Sequence, residues 1–451
     1  MSTESKTASG TTPIFDRFPM LGKALKNSGW IFGCGVLSNI TAFVASVMAA
    51  RYLDVSEIGA IGYAASIVAM LRIFVSLGID EVACREISQE PDSSPQVIKS
   101  SFIIRMTAAA ITIPAIVAFA LLLTPQAIQG RAYILVVMSL GLLAVPFSSA
   151  SIHYASHLRS VVPQRINAIL AILFMVMVAV GVQQQFTTLY FVWLIVAQQA
   201  LGGLIVYWVY KSNETTDAEW PLVRKTSKSL IRDSWPQTLS GFGILIQAYS
   251  DQIMLGEMQG LNSVAQYGVA LKMTTVMAFA PLAILASLLP SLSRRFKSDR
   301  NKFWVGFHQA NRLASILCLV IVTTVYFVGA KLVLLTFGDQ YSGAATLLSI
   351  MSIRILLTCL GILRGSFLVN ANILQYSMLT VLIGTVLNIL LNLKLIPTHG
   401  EFGAVYASLI SFFVTTVVVD LLFSETRQAM LVAIRGWAFP FLNYENQAFR
   451  I

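Results

Sequence analysis

Charge is scarce in this chain of 451 residues: only 12% of it is Asp, Glu, Lys or Arg, against about 25% in soluble domains. With 56% apolar residues, there is too little polar surface to cover a water-soluble core. Acids are scarcest, at 21 against 31 bases. Cysteine and histidine number four each. Cys34, Cys318 and Cys359 fall in apolar stretches and Cys84 in a polar loop, so no pair has metal-ligand spacing or shares an extracytoplasmic loop. His153, His157, His308 and His399 form no metal or catalytic set, and no G-x-x-x-x-G-K-[ST] phosphate loop occurs. G-C-G at 33–35 and G-F-G at 241–243 sit inside apolar runs, where they suit close helix packing. The expectation is a protein with no cofactor, no metal and no catalytic residues, not an enzyme.

What is present is a series of apolar runs of about 20 residues, each long enough to cross roughly 30 Å of hydrocarbon. They lie at about 28–50, 58–80, 101–124, 132–152, 164–182, 189–210, 237–257, 265–290, 309–333, 345–370, 375–396 and 402–424. A transmembrane barrel would instead show alternating strands of about ten residues. The fold class expected is all-α: a polytopic membrane protein with 12 transmembrane helices. Residues 1–27 are polar and the first run reaches full spanning length, so it reads as a first span rather than a signal peptide.

The bases set the orientation. Twenty-one of them lie in the N-terminal tail, the even-numbered loops and the C-terminal tail, and only Arg51 and Arg131 lie in odd-numbered loops. By the positive-inside rule both termini are cytoplasmic. The net charge of +10 is mostly this topology signal, so no nucleic-acid partner is expected. The longest polar connection, 211–236, falls at mid-chain and reads as a cytoplasmic linker between an N-lobe (28–210) and a C-lobe (237–424), followed by a cytoplasmic tail at 425–451. I-G-A-I-G-Y-A-A at 58–65 echoes V-A-Q-Y-G-V-A-L at 264–271, and Arg105 and Arg312 open corresponding spans. Six spans per half give both halves one orientation, an arrangement that builds a midplane cavity between them. Odd-numbered loops are too short for an extracytoplasmic catalytic domain, and the cytoplasmic ones for a nucleotide-binding domain. Apolar residues Ile14, Phe15, Phe18, Leu21 and Leu25, interleaved with bases, suggest an N-terminal interfacial helix, and Trp437, Phe439, Phe441 and Tyr444 suit the interface at the other end.

The remaining eight bases lie inside spans. A cation at the centre of a span costs about 2.5–3.5 kcal/mol on insertion scales, so it faces a wet cavity or a partner. Arg72, Lys272, Arg354 and Arg364 are the candidates for a cationic, substrate-binding cavity; the alternative for Arg72 and Arg354 is a structural pair with Asp80, Asp251 or a carbonyl. Arg105, Arg312, Lys331 and Lys394 lie near span ends and are expected to snorkel. Asp251 is the one acid read as well inside a span, with Asp80, Glu81, Glu257 and Asp420 at edges. It is either an ion-coupling group or a salt-bridge strut. A chamber rich in Arg and poor in carboxylates suits phosphate, because guanidinium offers forked, permanently charged donors. With no ATPase motif, uphill work must draw on an ion gradient or on the substrate's own.

Several motifs carry a family resemblance: A-R-Y-L-D-V-S-E-I-G at 50–59, S-L-G-I-D-E-V-A-C-R-E-I at 76–87, Y-S-D-Q-I-M-L-G at 249–256, V-A-Q-Y-G-V-A at 264–270, L-L-P-S-L-S at 288–293, F-G-D-Q-Y at 337–341 and N-L-K-L-I-P-T-H-G-E-F-G-A at 392–404. In this order they span nearly the whole chain. The sequence resembles the polysaccharide-transporter branch of the multidrug/oligosaccharidyl-lipid/polysaccharide exporter superfamily, the O-antigen flippase type. The resemblance implies twelve helices in two six-helix lobes around a central cavity with alternating access. It implies an undecaprenyl-diphosphate-linked oligosaccharide as cargo, membrane lipids as surroundings, a polymerase and a chain-length regulator as pathway partners, and the bacterial inner membrane as location. It also implies proton or cation coupling, with Asp251 in the seventh-span Y-S-D-like motif. Cavity residues vary in the family, so Arg72 and Arg354 are not carried over from it. The competing readings are a cation-coupled multidrug exporter, which would want an excess of buried carboxylates; a lipid II flippase, which would carry more helices; a membrane glycosyltransferase or polymerase; and a non-transporting scaffold.

Overall fold

The computed structural model describes residues 19–122, 132–213 and 220–438. Helix is the only regular structure among them. Hydrocarbon offers no partner for a backbone N–H or C=O, and a helix satisfies both within one segment.

In chain order the helices are α1 (Pro19–Tyr52), α2 (Val55–Ser76), α3 (Ile79–Gln89), α4 (Ser94–Leu122), α5 (Ala132–Ser139), α6 (Ala144–Phe147), α7 (Ala150–Ser156), α8 (Val161–Gln183) and α9 (Thr188–Asn213). After residues 214–219 come α10 (Trp220–Gln259), α11 (Leu261–Ser298), α12 (Arg300–Thr324), α13 (Ala330–Phe337), α14 (Ser342–Met351), α15 (Ile353–Asn370), α16 (Leu374–Phe413), α17 (Val419–Leu422) and α18 (Ser424–Ala438). Among the described residues nine helical stretches are long and apolar enough to cross a membrane, and the α5–α7 stretch, bent by 45°, makes a tenth. The protein is a multi-pass membrane protein. Large apolar side chains such as Ile111, Trp208 and Phe327 are exposed, as expected where the solvent is lipid.

Several of the twelve expected spans differ in form. The run at 237–257 is the second half of the 40-residue α10, so residues 220–236 of the linker expected at 211–236 are helical. Ser100 donates to the Val223 carbonyl at 3.0 Å, docking this segment on α4. The runs at 375–396 and 402–424 fall in one helical stretch of 48 residues. At 1.5 Å per residue this would be about 70 Å long, more than twice the hydrocarbon thickness. It is broken at Gly400, whose φ of 57° and ψ of −132° are not helical. Beyond the break the chain folds back: a Cβ on Gly403 would lie 2.2 Å from the Leu395 carbonyl oxygen. The two arms run antiparallel, each about one membrane long.

The first and second halves of the chain meet along α2. Gly59 packs so closely on the start of α11 that a Cβ would fall 1.8 Å from the Leu261 carbonyl oxygen. Tyr63 donates to Glu257, and Ser66 donates to Gln252 at 2.5 Å. The ends of α1 and α13 are capped reciprocally: Arg51 donates to the Thr336 carbonyl at 2.7 Å and to that of Leu335, while Gln340, just beyond α13, donates to the Ala50 carbonyl at 2.7 Å. These carbonyls belong to last helical turns, where no intrahelical donor remains.

The largest apolar core joins both halves through Tyr63, Ile67, Leu255, Val264, Tyr267 and Leu348. A second lies within the later half around Phe303, Phe307, Phe367 and Met430, and includes Cys318 and Cys359. All four cysteines are unpaired. Ile14, Phe15 and Phe18 of the expected N-terminal interfacial helix, and Phe439, Phe441 and Tyr444 of the tail, lie outside the described residues. The remainder of the tail forms α18, which docks Ala429, Met430, Val432 and Ala433 onto the second core.

Candidate functional site

The expected intramembrane charges separate into three groups. The first lies on a cavity of about 530 Å³ enclosed by α1, α2, α8 and α9 from the first half and closed by α10 and α11 from the second. Arg72 of α2 and Lys272 of α11 both line it. Each is exposed to open space, and neither makes an ion pair with a described residue. Most of the wall is apolar, with Ser46, Ser66, Tyr249 and Gln252 among its polar groups and no Asp or Glu among the described lining residues. The surplus of positive charge is therefore open to a ligand. A second chamber of about 430 Å³ lies within the first half and shares Arg72 and Gln199 with the cavity. Arg72 stands on the wall common to both.

The second group surrounds Asp251. This carboxylate is buried, at 1% exposure. Its Oδ2 accepts from the Tyr267 hydroxyl at 2.7 Å and from the Ser408 hydroxyl. Its Oδ1 accepts from Asn392 at 2.7 Å and Asn388 at 3.1 Å. Asn388 in turn accepts from Ser250 at 2.8 Å. The hairpin of α16 makes this possible, because Asn392 and Ser408 come from opposite arms. A charged group buried in hydrocarbon needs such partners. The Oδ1 of Asn392 is buried without a partner among the described residues. Arg354 sets its guanidinium 5.2 Å from the centre of the Phe412 ring. It forms no ion pair with a described residue and lines neither chamber.

The third group is structural. Arg364, expected among the cavity cations, instead grips Asp420: Nε lies 2.7 Å from Oδ2 and Nη2 lies 2.9 Å from Oδ1. Tyr376 also donates to Asp420 at 2.7 Å, and Thr380 accepts from Arg364 at 3.1 Å. Asp420, read from the sequence as an edge residue, is 2% exposed. Arg105, expected to snorkel, is fully buried and paired with Asp80 at 2.8 Å. Asp80 pairs with Arg105 and makes no ion pair with Arg72.

Sequence reading passed over the four donors on Asp251. A signal was there: Asn388 and Asn392 are four apart in an otherwise apolar run, which places both on one helix face. Ser408 carried none, since only the turn at Gly400 brings it near.

The model of the polysaccharide biosynthesis protein family matches residues 24–296, more than half of the chain, and the protein belongs to that family. A probable low-salt glycan biosynthesis flippase of Haloferax volcanii, Agl15, is 22% identical over 219 residues, 48% of this chain and 46% of that protein. An uncharacterized membrane protein of Methanocaldococcus jannaschii is 24% identical over 174 residues, 38% of this chain and 34% of that protein. The matched regions thus span less than half of these relatives. Among solved structures, the lipid II flippase MurJ in an inward closed conformation superposes with a TM-score of 0.71 at 12% identity, covering 91% of each chain. An inward-facing multidrug resistance MATE family transporter of the MOP superfamily gives 0.65 at 13% identity, covering 89% of this chain and 93% of that one. The chain shares the fold of these two structures.

Proposed function

We propose that this protein is a flippase that carries an undecaprenyl-diphosphate-linked oligosaccharide, an O-antigen or similar repeat unit, from the cytoplasmic to the periplasmic leaflet. Its twelve spans form two six-helix lobes in the inner membrane, with both termini cytoplasmic, and the cavity between them opens alternately to either side. A polymerase and a chain-length regulator act downstream of it.

The observation that carries this reading is the placement of Arg72 and Lys272, one from each half, on a single cavity lined by no carboxylate among the described residues. A bare diphosphate entering hydrocarbon would meet a Born cost of tens of kcal/mol. Fixed cations that replace its hydration shell lower that barrier, and guanidinium matches phosphate oxygens in forked geometry. The lipid tail stays in the bilayer throughout. Two lobes that each hold one cation grip the head group from both sides, so closing around it favours the lobe rearrangement that carries it across.

Asp251 is the coupling group in this account. Its carboxylate and the unpartnered Oδ1 of Asn392 offer oxygens to a proton or a small cation, and the surrounding donors come from α10, α11 and both arms of α16. Ion binding there changes how these helices pack. Export of organic cations is disfavoured by the sign of the cavity charge.

The test is polysaccharide display in cells whose chromosomal copy is replaced. Arg72→Ala and Lys272→Ala should abolish surface polymer while the protein stays in the membrane at normal level. Normal display in both variants would remove the cavity assignment.

A further inference from the structure

The smaller chamber differs from the cavity in chemistry as well as position. It is bounded by α1, α8 and α9 together with the α5–α7 stretch. Its polar lining is neutral except at one point. Asn39, Ser151, Asn167, Gln198 and Gln199 face it, with no acid and no cation but Arg72 among the described lining residues. Ser38 also lines it, and its hydroxyl is buried without a partner among the described residues. Asn39 spends one donor on the Gly35 carbonyl at 2.9 Å. The side chains of Asn167, Gln198 and Gln199 make no hydrogen bond to a described residue. Each such amide offers two N–H donors and a carbonyl acceptor. Held at membrane depth, polar groups in this number would be costly unless a polar occupant serves them.

We infer that this chamber is a saccharide subsite: it receives the first, uncharged sugar of the lipid-linked substrate while Arg72, on the common wall, holds the adjoining phosphate. The inference rests on the flippase reading. Four observations support it. Mixed donors and acceptors on neutral groups match sugar hydroxyls, which both donate and accept. A phosphate would need cations, and among the described lining residues the chamber has one only at its boundary with the cavity. At about 430 Å³, the volume lies in the range of roughly 300–1,000 Å³ typical of small-molecule sites. The substrate's own connectivity, in which sugar follows diphosphate directly, is reproduced by the order chamber, Arg72, cavity. Because the amides are unpaired without a ligand, a sugar gains hydrogen bonds without breaking any protein ones, and the chamber selects for glycan in addition to lipid diphosphate.

The test uses full-length protein in nanodiscs and two probes: a polyprenyl diphosphate, and the same lipid carrying one uncharged hexose. The wild type should bind the glycosylated lipid about tenfold more tightly or better. Asn167→Leu and, separately, Gln198→Leu should bring the ratio of the two affinities toward one. A variant that still holds the bare lipid is folded by that criterion, and either substitution suffices for the test. A ratio unchanged in both variants, or a wild type that binds both probes equally, overturns the saccharide subsite and leaves the flippase reading standing. A wild type that binds neither probe overturns both.

Discussion

Arg364 sets two nitrogens on the two carboxylate oxygens of Asp420, at 2.7 and 2.9 Å, inside the second half of the protein. The pair ties α15 to the returning arm of the 375–422 hairpin. Both side chains are largely buried, at 13% and 3% exposure. Removing one partner of a buried pair strands the other charge, at a cost of about 3–5 kcal/mol. Arg364→Ala and Asp420→Ala should each lower the unfolding midpoint of the detergent-solubilised protein. Replacing both together with apolar residues of similar size, as in Arg364→Met with Asp420→Leu, should recover much of the loss. A single Arg364→Ala variant with wild-type stability would contradict the strut.

Asp251→Asn keeps the shape of the cluster and discards its charge. Four donors point at this carboxylate, so the amide must turn one N–H toward a donor, and a stability loss of roughly 1–3 kcal/mol follows. If the carboxylate couples ion to cargo, flipping in proteoliposomes should lose its dependence on the imposed proton or cation gradient while lipid binding persists. Unaltered gradient dependence in this variant would leave Asp251 a strut and nothing more.

Gly59 lies against the Leu261 carbonyl where the two halves touch, with no room for a Cβ. Gly59→Ala must push α2 away from α11, and overpacking of this kind costs about 1–3 kcal/mol. Because both helices line the cavity, the variant should show weaker substrate binding as well as a lower unfolding midpoint. A variant equal to wild type in both would mean that the helices separate freely there.

Arg72→Lys separates charge from geometry. Lysine keeps the positive charge on the cavity wall and loses the planar fork. Affinity for a polyprenyl diphosphate should fall by about tenfold in Arg72→Lys and further in Arg72→Ala. Equal losses in the two variants would mean that shape matters and charge alone does not.

Much of this architecture is legible in the chain. Apolar runs of spanning length, interrupted by polar loops with bases on alternate sides, follow from the bilayer's own dimensions and its surface charge asymmetry, and both are local properties of sequence. Arg72 and Lys272 could be picked out as costly intramembrane cations for the same reason. Their meeting on one wall was not legible, since it depends on how α2 and α11 pack across the halves. Nor was the fate of the other cations. Arg364 reads like Arg72 in sequence, and only the returning arm beyond Gly400 supplies it with Asp420. Arg105 reads as a snorkelling end residue, yet it is buried on Asp80 because α3 folds back over the start of α4.

By itself, then, the sequence determined that this is a helical membrane protein, where its apolar segments lie and which ionisable groups they carry into the bilayer, because hydropathy and insertion cost act segment by segment. Tertiary structure decided which of those charges are neutralised by partners and which stay open to a ligand. That choice depends on contacts between residues far apart in the chain: Asp251 with Ser408, Arg364 with Asp420, and Arg72 across a cavity from Lys272.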